Sequence, residues 1–147
     1  EAIKASLRQL PKWILLSEAR SMEVRYLLES LSTGTNGITT LHTDDVRNIP
    51  DRIKNMAGGG EDLTRIENDT YRFLDIGILV KSAVDEKGKI RRYINQIGVF
   101  DRYGKEWKET INEIVMVVEE GKVVCRDLPV NIKRKFEEAG IYYPLRT

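Results

Sequence analysis

The chain predicts an α/β fold, and three features of its first 42 residues carry that prediction. A short apolar run, Trp13–Leu16, lies between Pro11 and the polar pair Ser17-Glu18. A run apolar on both faces suits a central parallel strand. Val24, Leu27, Leu28 and Leu31 then recur at helical spacing, which predicts a helix over 22–32 with Ser21 as its N-cap. Gly34 and Gly37 bracket a turn, and the β-branched stretch Ile38–His42 reads as a second strand closing on the only histidine of the chain. Strand, helix and strand with short links make a βαβ unit, whose crossover should be right-handed.

The pattern continues with helices and then changes to strands. Asn48 is placed to cap a short helix with Pro50 in its first turn, where a missing N–H costs nothing. Ile49, Ile53, Met56 and Ala57 mark its inner side, and Gly58-Gly59-Gly60 ends it. A further helix is expected over 61–73, with Leu63, Ile66, Thr70 and Phe73 on one face. Ile76–Ala83 and Ile90–Phe100 form a hairpin through Asp85-Glu86-Lys87-Gly88. Ile111–Val118 and Lys122–Arg126 form a second hairpin through Glu120-Gly121. Pro129 opens a last helix with Ile132, Phe136 and Ala139 inward. The expected organisation is one domain over 1–147, with an α/β core at 1–74 and an antiparallel β appendage plus helix at 75–147.

Composition narrows the class. A length of 147 residues, 41% hydrophobic and 32% charged, suits one soluble domain with a core of its own. A net charge of +1 gives no electrostatic argument for nucleic acid or anionic membrane. Cys125 is the sole cysteine and cannot form an internal disulfide, which points to a reducing compartment. In a β segment it reads as a small core hydrophobe. No apolar run is long enough to span a bilayer. The chain begins at Glu1 and is read as a segment of a longer protein.

Open α/β sheets bind ligands at the carboxyl ends of their strands. Glu18 follows the first strand and His42 closes the second, 24 positions later, so both fall on one rim. A carboxylate there orients or deprotonates a water attacking phosphorus, or holds magnesium through a water. An imidazole there senses a terminal phosphate. Arg8 and Arg20 can supply positive charge to a phosphate, in cis or across an interface. Taken singly, each of these residues also fits a plainer role. A strand-end Glu is commonly solvated, a lone His commonly structural, and Arg20 with Glu23 makes a helix-surface pair worth a few tenths of a kcal/mol. Order and spacing raise them above that.

Those residues resemble one family. Leu7-Arg8, Pro11, the apolar strand, Glu18-Ala19-Arg20 and Glu23, then Thr33-Gly34, Gly37 and Thr39-Thr40-Leu41-His42, are similar to the Walker B segment and histidine box of the type II/type IV secretion ATPases. Arg52-Ile53, the stretch Ile76–Val99 with Arg91-Arg92, and Leu128-Pro129 through Gly140-Ile141 extend the resemblance over nearly the whole chain. It implies the C-terminal part of a RecA-like P-loop ATPase core, followed by antiparallel β-hairpins and a terminal helix. It also implies Glu18 and His42 as catalytic residues, with Arg8, Arg20, Glu23 and Thr40 at the nucleotide or the subunit interface. Glu18 would touch Mg2+ through a water. The cofactors implied are ATP and Mg2+. The partners implied are other copies of itself in a homohexameric ring and an inner-membrane secretion platform protein, with no direct nucleic acid, in a cytoplasmic protein peripheral to the membrane machinery. The sequence departs from the family at Lys12, Ser17, Thr35 and Thr43.

A phosphate loop needs two glycines five apart followed by Lys and Ser/Thr, so that backbone N–H groups wrap the phosphates. Gly98 through Glu106 is the nearest stretch and fails on glycine spacing, on Glu106 and on its hairpin context. The family carries that loop upstream of Walker B. Two other classes stay in view. One is a non-enzymatic adaptor on a degraded motor fold, motivated by Ser17 and Thr35. The other is nucleic-acid binding by Lys87, Lys89, Arg91 and Arg92 around a hairpin. No His/Cys cluster suggests zinc, and no Ser/His/Asp set with an elbow is present.

Overall fold

A computed structural model describes residues 5, 9, 11–20, 22–58, 63–103 and 109–141. The chain divides into two compact units, Glu1–Leu74 and Asp75–Thr147.

The first unit begins with strand β1 (Trp13–Leu16), helix α1 (Met22–Ser32) and strand β2 (Asn36–Thr39). β1 and β2 pair in parallel, from Trp13↔Asn36 to Leu16↔Thr39, as the βαβ pattern predicts. The β2 boundaries differ from the sequence expectation. The Asn36 amide donates to the Lys12 carbonyl at 3.0 Å, so the ladder starts before Ile38 and stops at Thr39. Gly37 therefore lies inside the strand rather than at a turn. A Cβ there would stand 2.8 Å from Leu31 Cδ2 and 3.2 Å from Leu27 Cδ1, so the missing side chain lets α1 lie close on β2. Gly34, at φ 89°, makes the reversal between them.

Val24, Leu27 and Leu28 of α1 are buried, as their spacing requires. β1 does not behave as a strand covered on both faces. Ile14 is buried, but Trp13 is exposed and Leu15 is 75% exposed. The reason is topological, since β1 has a single sheet neighbour, β2, among the described residues.

A 3₁₀ turn (Val46–Asn48) leads into α2 (Ile49–Ala57), and α3 (Leu63–Phe73) follows. Asn48 sits at the N-cap position of α2, but its side chain makes no capping bond there and donates instead to Asp44 Oδ1 at 3.1 Å. Capping passes to Asp45, whose carboxylate accepts from the Arg47 amide at 2.8 Å. Pro50 falls in the first turn, and Ile49, Ile53 and Ala57 are buried, with Met56 half-buried. Gly58 ends α2 at φ 68°. In α3, Ile66 and Thr70 face inward. Leu63, expected beside them, is exposed at the first position of the helix. Ser21, Gly59 and Gly60 lie outside the described residues.

The second unit is one antiparallel sheet, ordered β3 (Ile76–Val84), β4 (Ile90–Tyr103), β5 (Glu109–Glu119) and β6 (Lys122–Cys125), with α4 (Val130–Glu138). The two hairpins read from sequence are parts of this single meander. β4 runs for 14 residues, past Phe100, and its second half pairs with β5 from Gln96↔Val117 to Tyr103↔Glu109. Val99, Val115 and Ile132 form its core, with Ile97, Ile111, Leu128 and Phe136 packed around them. Lys135 ties α4 down through Asp75 at 3.1 Å and Asp101 at 3.3 Å.

Two inward assignments fail in this unit. Ala139 is exposed because α4 ends at Glu138. Cys125 is exposed because it closes the four-residue edge strand β6 on an open side.

The β3–β4 turn is organised by one carboxylate. Asp85 Oδ1 accepts from the Lys89 amide at 2.9 Å and the Lys87 amide at 3.0 Å, and Oδ2 accepts from Arg91 Nε at 3.0 Å. The Lys89 amide, then Arg91, hold its carboxyl below the usual range. A depressed folded value means the stabilisation is complete above about pH 3.9 and is lost as pH falls through the folded value. Amide chemical shifts of residues 85–91 should therefore report turn loosening in acid, and Asp85→Asn should remove that acid dependence.

Candidate functional site

The ends of β1 and β2 are stitched together beyond their last ladder pair. The Ala19 amide donates to the Thr40 carbonyl at 3.0 Å, and the Thr40 hydroxyl donates to the Ser17 carbonyl. Ala19 is buried and anchors the loop. This stitch is also why β2 ends early: Thr40 turns toward the loop after β1, and His42 lies three residues beyond the strand, not at its end as expected.

The result brings Glu18, Arg20 and His42 together. Glu18 Oε2 accepts a hydrogen bond from the Arg20 guanidinium, and His42 Nε2 stands 3.6 Å from Glu18 Oε1. The Glu18 side chain is 32% exposed and the His42 side chain 91%. The Arg20 bond, opposed by partial desolvation and aided by the Arg20 and His42 charges, holds the Glu18 carboxyl below its ordinary value. Arg20 is raised in turn, mainly by its bond to Glu18. Glu23 opens α1, its amide donates to the Arg20 carbonyl at 2.8 Å, and its charge adds a smaller favourable effect on Arg20. Thr40 serves the stitch through its backbone and hydroxyl. Arg8 lies outside the described residues.

His42 also borders a shallow cleft of about 550 Å³ with Thr43, Asp44, Asn48, Asp51 and Arg52. Arg52 Nε donates to the His42 carbonyl at 3.2 Å, so the first turns of α2 hold the histidine loop in place. Sequence reading treated Arg52 as part of a helix motif and missed this contact, because it depends on how the loop folds back. It also missed Arg25. Arg25 Nε and Nη2 donate to the Ala57 and Gly58 carbonyls, each at 2.7 Å, closing the C-terminus of α2 from a distance of 32 and 33 positions. A basic residue on α1 carries no local sign of that partner.

The chemistry available is that of an edge: one ionised carboxylate, a guanidinium bonded to it and an accessible imidazole. Among the described residues no group of three or more His, Cys, Asp or Glu could hold a metal. Glu18, Arg20 and His42 include no backbone cradle for phosphates. Among the same residues, no helix is long and apolar enough to cross a membrane.

Residues 1–71 match the family model described as type II/IV secretion system protein. Over those residues the chain is similar to the type II/IV secretion system proteins. The chain is 30% identical over 120 residues to an uncharacterised protein of Bacillus anthracis, covering 77% of this chain and 27% of that protein. It is 28% identical over 122 residues to an uncharacterised protein of Methanocaldococcus jannaschii, covering 83% of this chain and 21% of that protein. The chain thus spans about a quarter of the length of those relatives. Its fold is similar to that of the ATPase DotB of Legionella pneumophila, with a TM-score of 0.60 and 24% identity over 71% of this chain and 27% of that one. That likeness bears out the mixed α/β class, with a parallel pair and an antiparallel sheet.

Proposed function

We propose that this chain is the C-terminal portion of a secretion-motor ATPase, the part that carries the γ-phosphate edge of a Mg-ATP site. The observation that supports the reading most is the Glu18 carboxylate held between Arg20 and His42 at the joined ends of two parallel strands. The match of residues 1–71 to the type II/IV secretion system family model supports it from a second side.

Within this reading Glu18 polarises the attacking water and fixes its direction of approach. The Arg20 bond, which lowers the Glu18 pKa, fixes the carboxylate in place, an arrangement suited to orienting that water more than to taking its proton. Arg20 sets the rotamer of Glu18 and offers charge toward the phosphate side. His42, accessible and 3.6 Å from Glu18, reads the presence of a terminal phosphate and passes it to the loop held by Arg52. Mg2+ bound with the nucleotide would neutralise phosphate charge, with Glu18 touching it through water. The working unit in this proposal is a homohexameric ring docked on an inner-membrane secretion platform from the cytoplasmic side, driving movement of protein or pilin.

The chain by itself offers the edge without the cradle, so the isolated 147-residue chain is expected to show no ATP turnover above buffer. Phosphate release at saturating Mg-ATP checks this. Turnover by the isolated chain that disappears in Glu18→Gln would overturn the division of labour proposed here. Failure of a longer polypeptide with a phosphate loop to turn over ATP would favour the adaptor reading.

A further inference from the structure

We propose that Arg25 is a positioning residue for His42, acting through helix α2. The proposal rests on the reading of Glu18 and His42 as one site, and it names the device that holds them in register.

Arg25 lies in the first turn of α1, which begins just after the loop holding Glu18 and Arg20. The Glu23 amide bonded to the Arg20 carbonyl makes that loop and the helix continuous. From there the half-buried Arg25 side chain reaches the far end of α2. Its Nε and Nη2 donate to the Ala57 and Gly58 carbonyls, each at 2.7 Å. The last carbonyls of a helix lack partners within it, and the helix dipole favours a cation there. Two bonds from one planar guanidinium to successive carbonyls fix direction as well as distance.

The other end of α2 holds the histidine loop. Arg52 Nε donates to the His42 carbonyl at 3.2 Å. Five residues separate Arg52 from Ala57, so the two contacts stand about 7.5 Å apart along one helix. Ile49, Ile53 and Ala57 are buried along it, and a helix this short moves as one piece. A shift at its C-terminal end therefore reaches His42. The Ala19–Thr40 bond fixes the chain two residues before His42, Arg52 fixes the His42 carbonyl itself, and Arg25 sets where Arg52 stands. Lys54 makes a different tie, from α2 to Glu67 of α3 at 2.8 Å. That tie places α2 against a helix that carries neither Glu18 nor His42, whereas Arg25 joins α2 to the helix that continues from Glu18.

His42 is the sole histidine, so one imidazole Hε1 resonance reports its surroundings. In the full chain at a fixed pH, Glu18→Gln should shift that resonance, because the carboxylate stands 3.6 Å from Nε2. In an Arg25→Met background the same substitution should shift it by about half as much or less, the fall expected when the separation doubles. Lys54→Met loosens α2 without touching the α1 contact, so it should leave the Glu18-dependent shift at its native size. Circular dichroism checks that each variant keeps its helices. Should Arg25→Met fail to fold, Arg25→Lys keeps a cation at the helix end but offers a point charge in place of the fork, and it should weaken the same shift. A Glu18-dependent shift undiminished by the Arg25 substitution, or diminished equally by Lys54→Met, would overturn the proposal while leaving the Glu18–His42 pairing intact. A His42 resonance indifferent to Glu18→Gln in the native chain would overturn the pairing itself, and this proposal with it.

Discussion

Glu18→Gln, in a polypeptide that joins this chain to a phosphate loop, is expected to lower kcat for ATP hydrolysis by roughly 100- to 10,000-fold, the range for loss of a positioned catalytic side chain. Nucleotide affinity should remain within a few-fold. The amide keeps the shape of the side chain and can still accept from Arg20, so the strand-end stitch through Ala19, Thr40 and Ser17 should survive. What is lost is the negative charge that sits between Arg20 and His42. Single-turnover hydrolysis beside equilibrium binding of a labelled nucleotide separates the two effects. Retained turnover in this variant would remove Glu18 from the role proposed for it.

The second large effect is on stability. Phe100→Ala is expected to destabilise the second unit by about 3–5 kcal/mol, the usual range for removing a fully buried ring. Phe100 has no exposed surface, and its amide donates to the Asp75 carbonyl at 3.0 Å at the start of β3. Truncation leaves a cavity beside the C-terminal part of β4, while the backbone bond persists. A denaturant titration followed by circular dichroism checks this through the midpoint. A shift worth less than about 1 kcal/mol would show that the site collapses around the smaller side chain.

The particular elements show how far local pattern reaches. The spacing of Val24, Leu27 and Leu28 placed α1 correctly, because one buried stripe on a helix is a property of the helix itself. Trp13–Leu16 was equally clear as a strand, but the covering of its faces was not. An apolar run records a preference for burial, and only the sheet order says whether this chain meets it. The candidate site divides in the same way. Glu18, Arg20 and His42 could be named from residue type and spacing. Their closeness rests on the Ala19–Thr40 and Thr40–Ser17 bonds, and the bracing of the histidine loop rests on Arg52.

Residue order alone thus settled the alternation of strands and helices and the α/β class, and it named the groups proposed to act on a phosphate. Periodicity, turn chemistry and side-chain chemistry are all local, which is why they could be read directly. The folded chain decided the single four-stranded meander, the early end of β2 and the exposure of Cys125 and Ala139. Each of these turns on which strand or loop lies beside which, and backbone groups take partners from segments tens of positions away that no local pattern encodes.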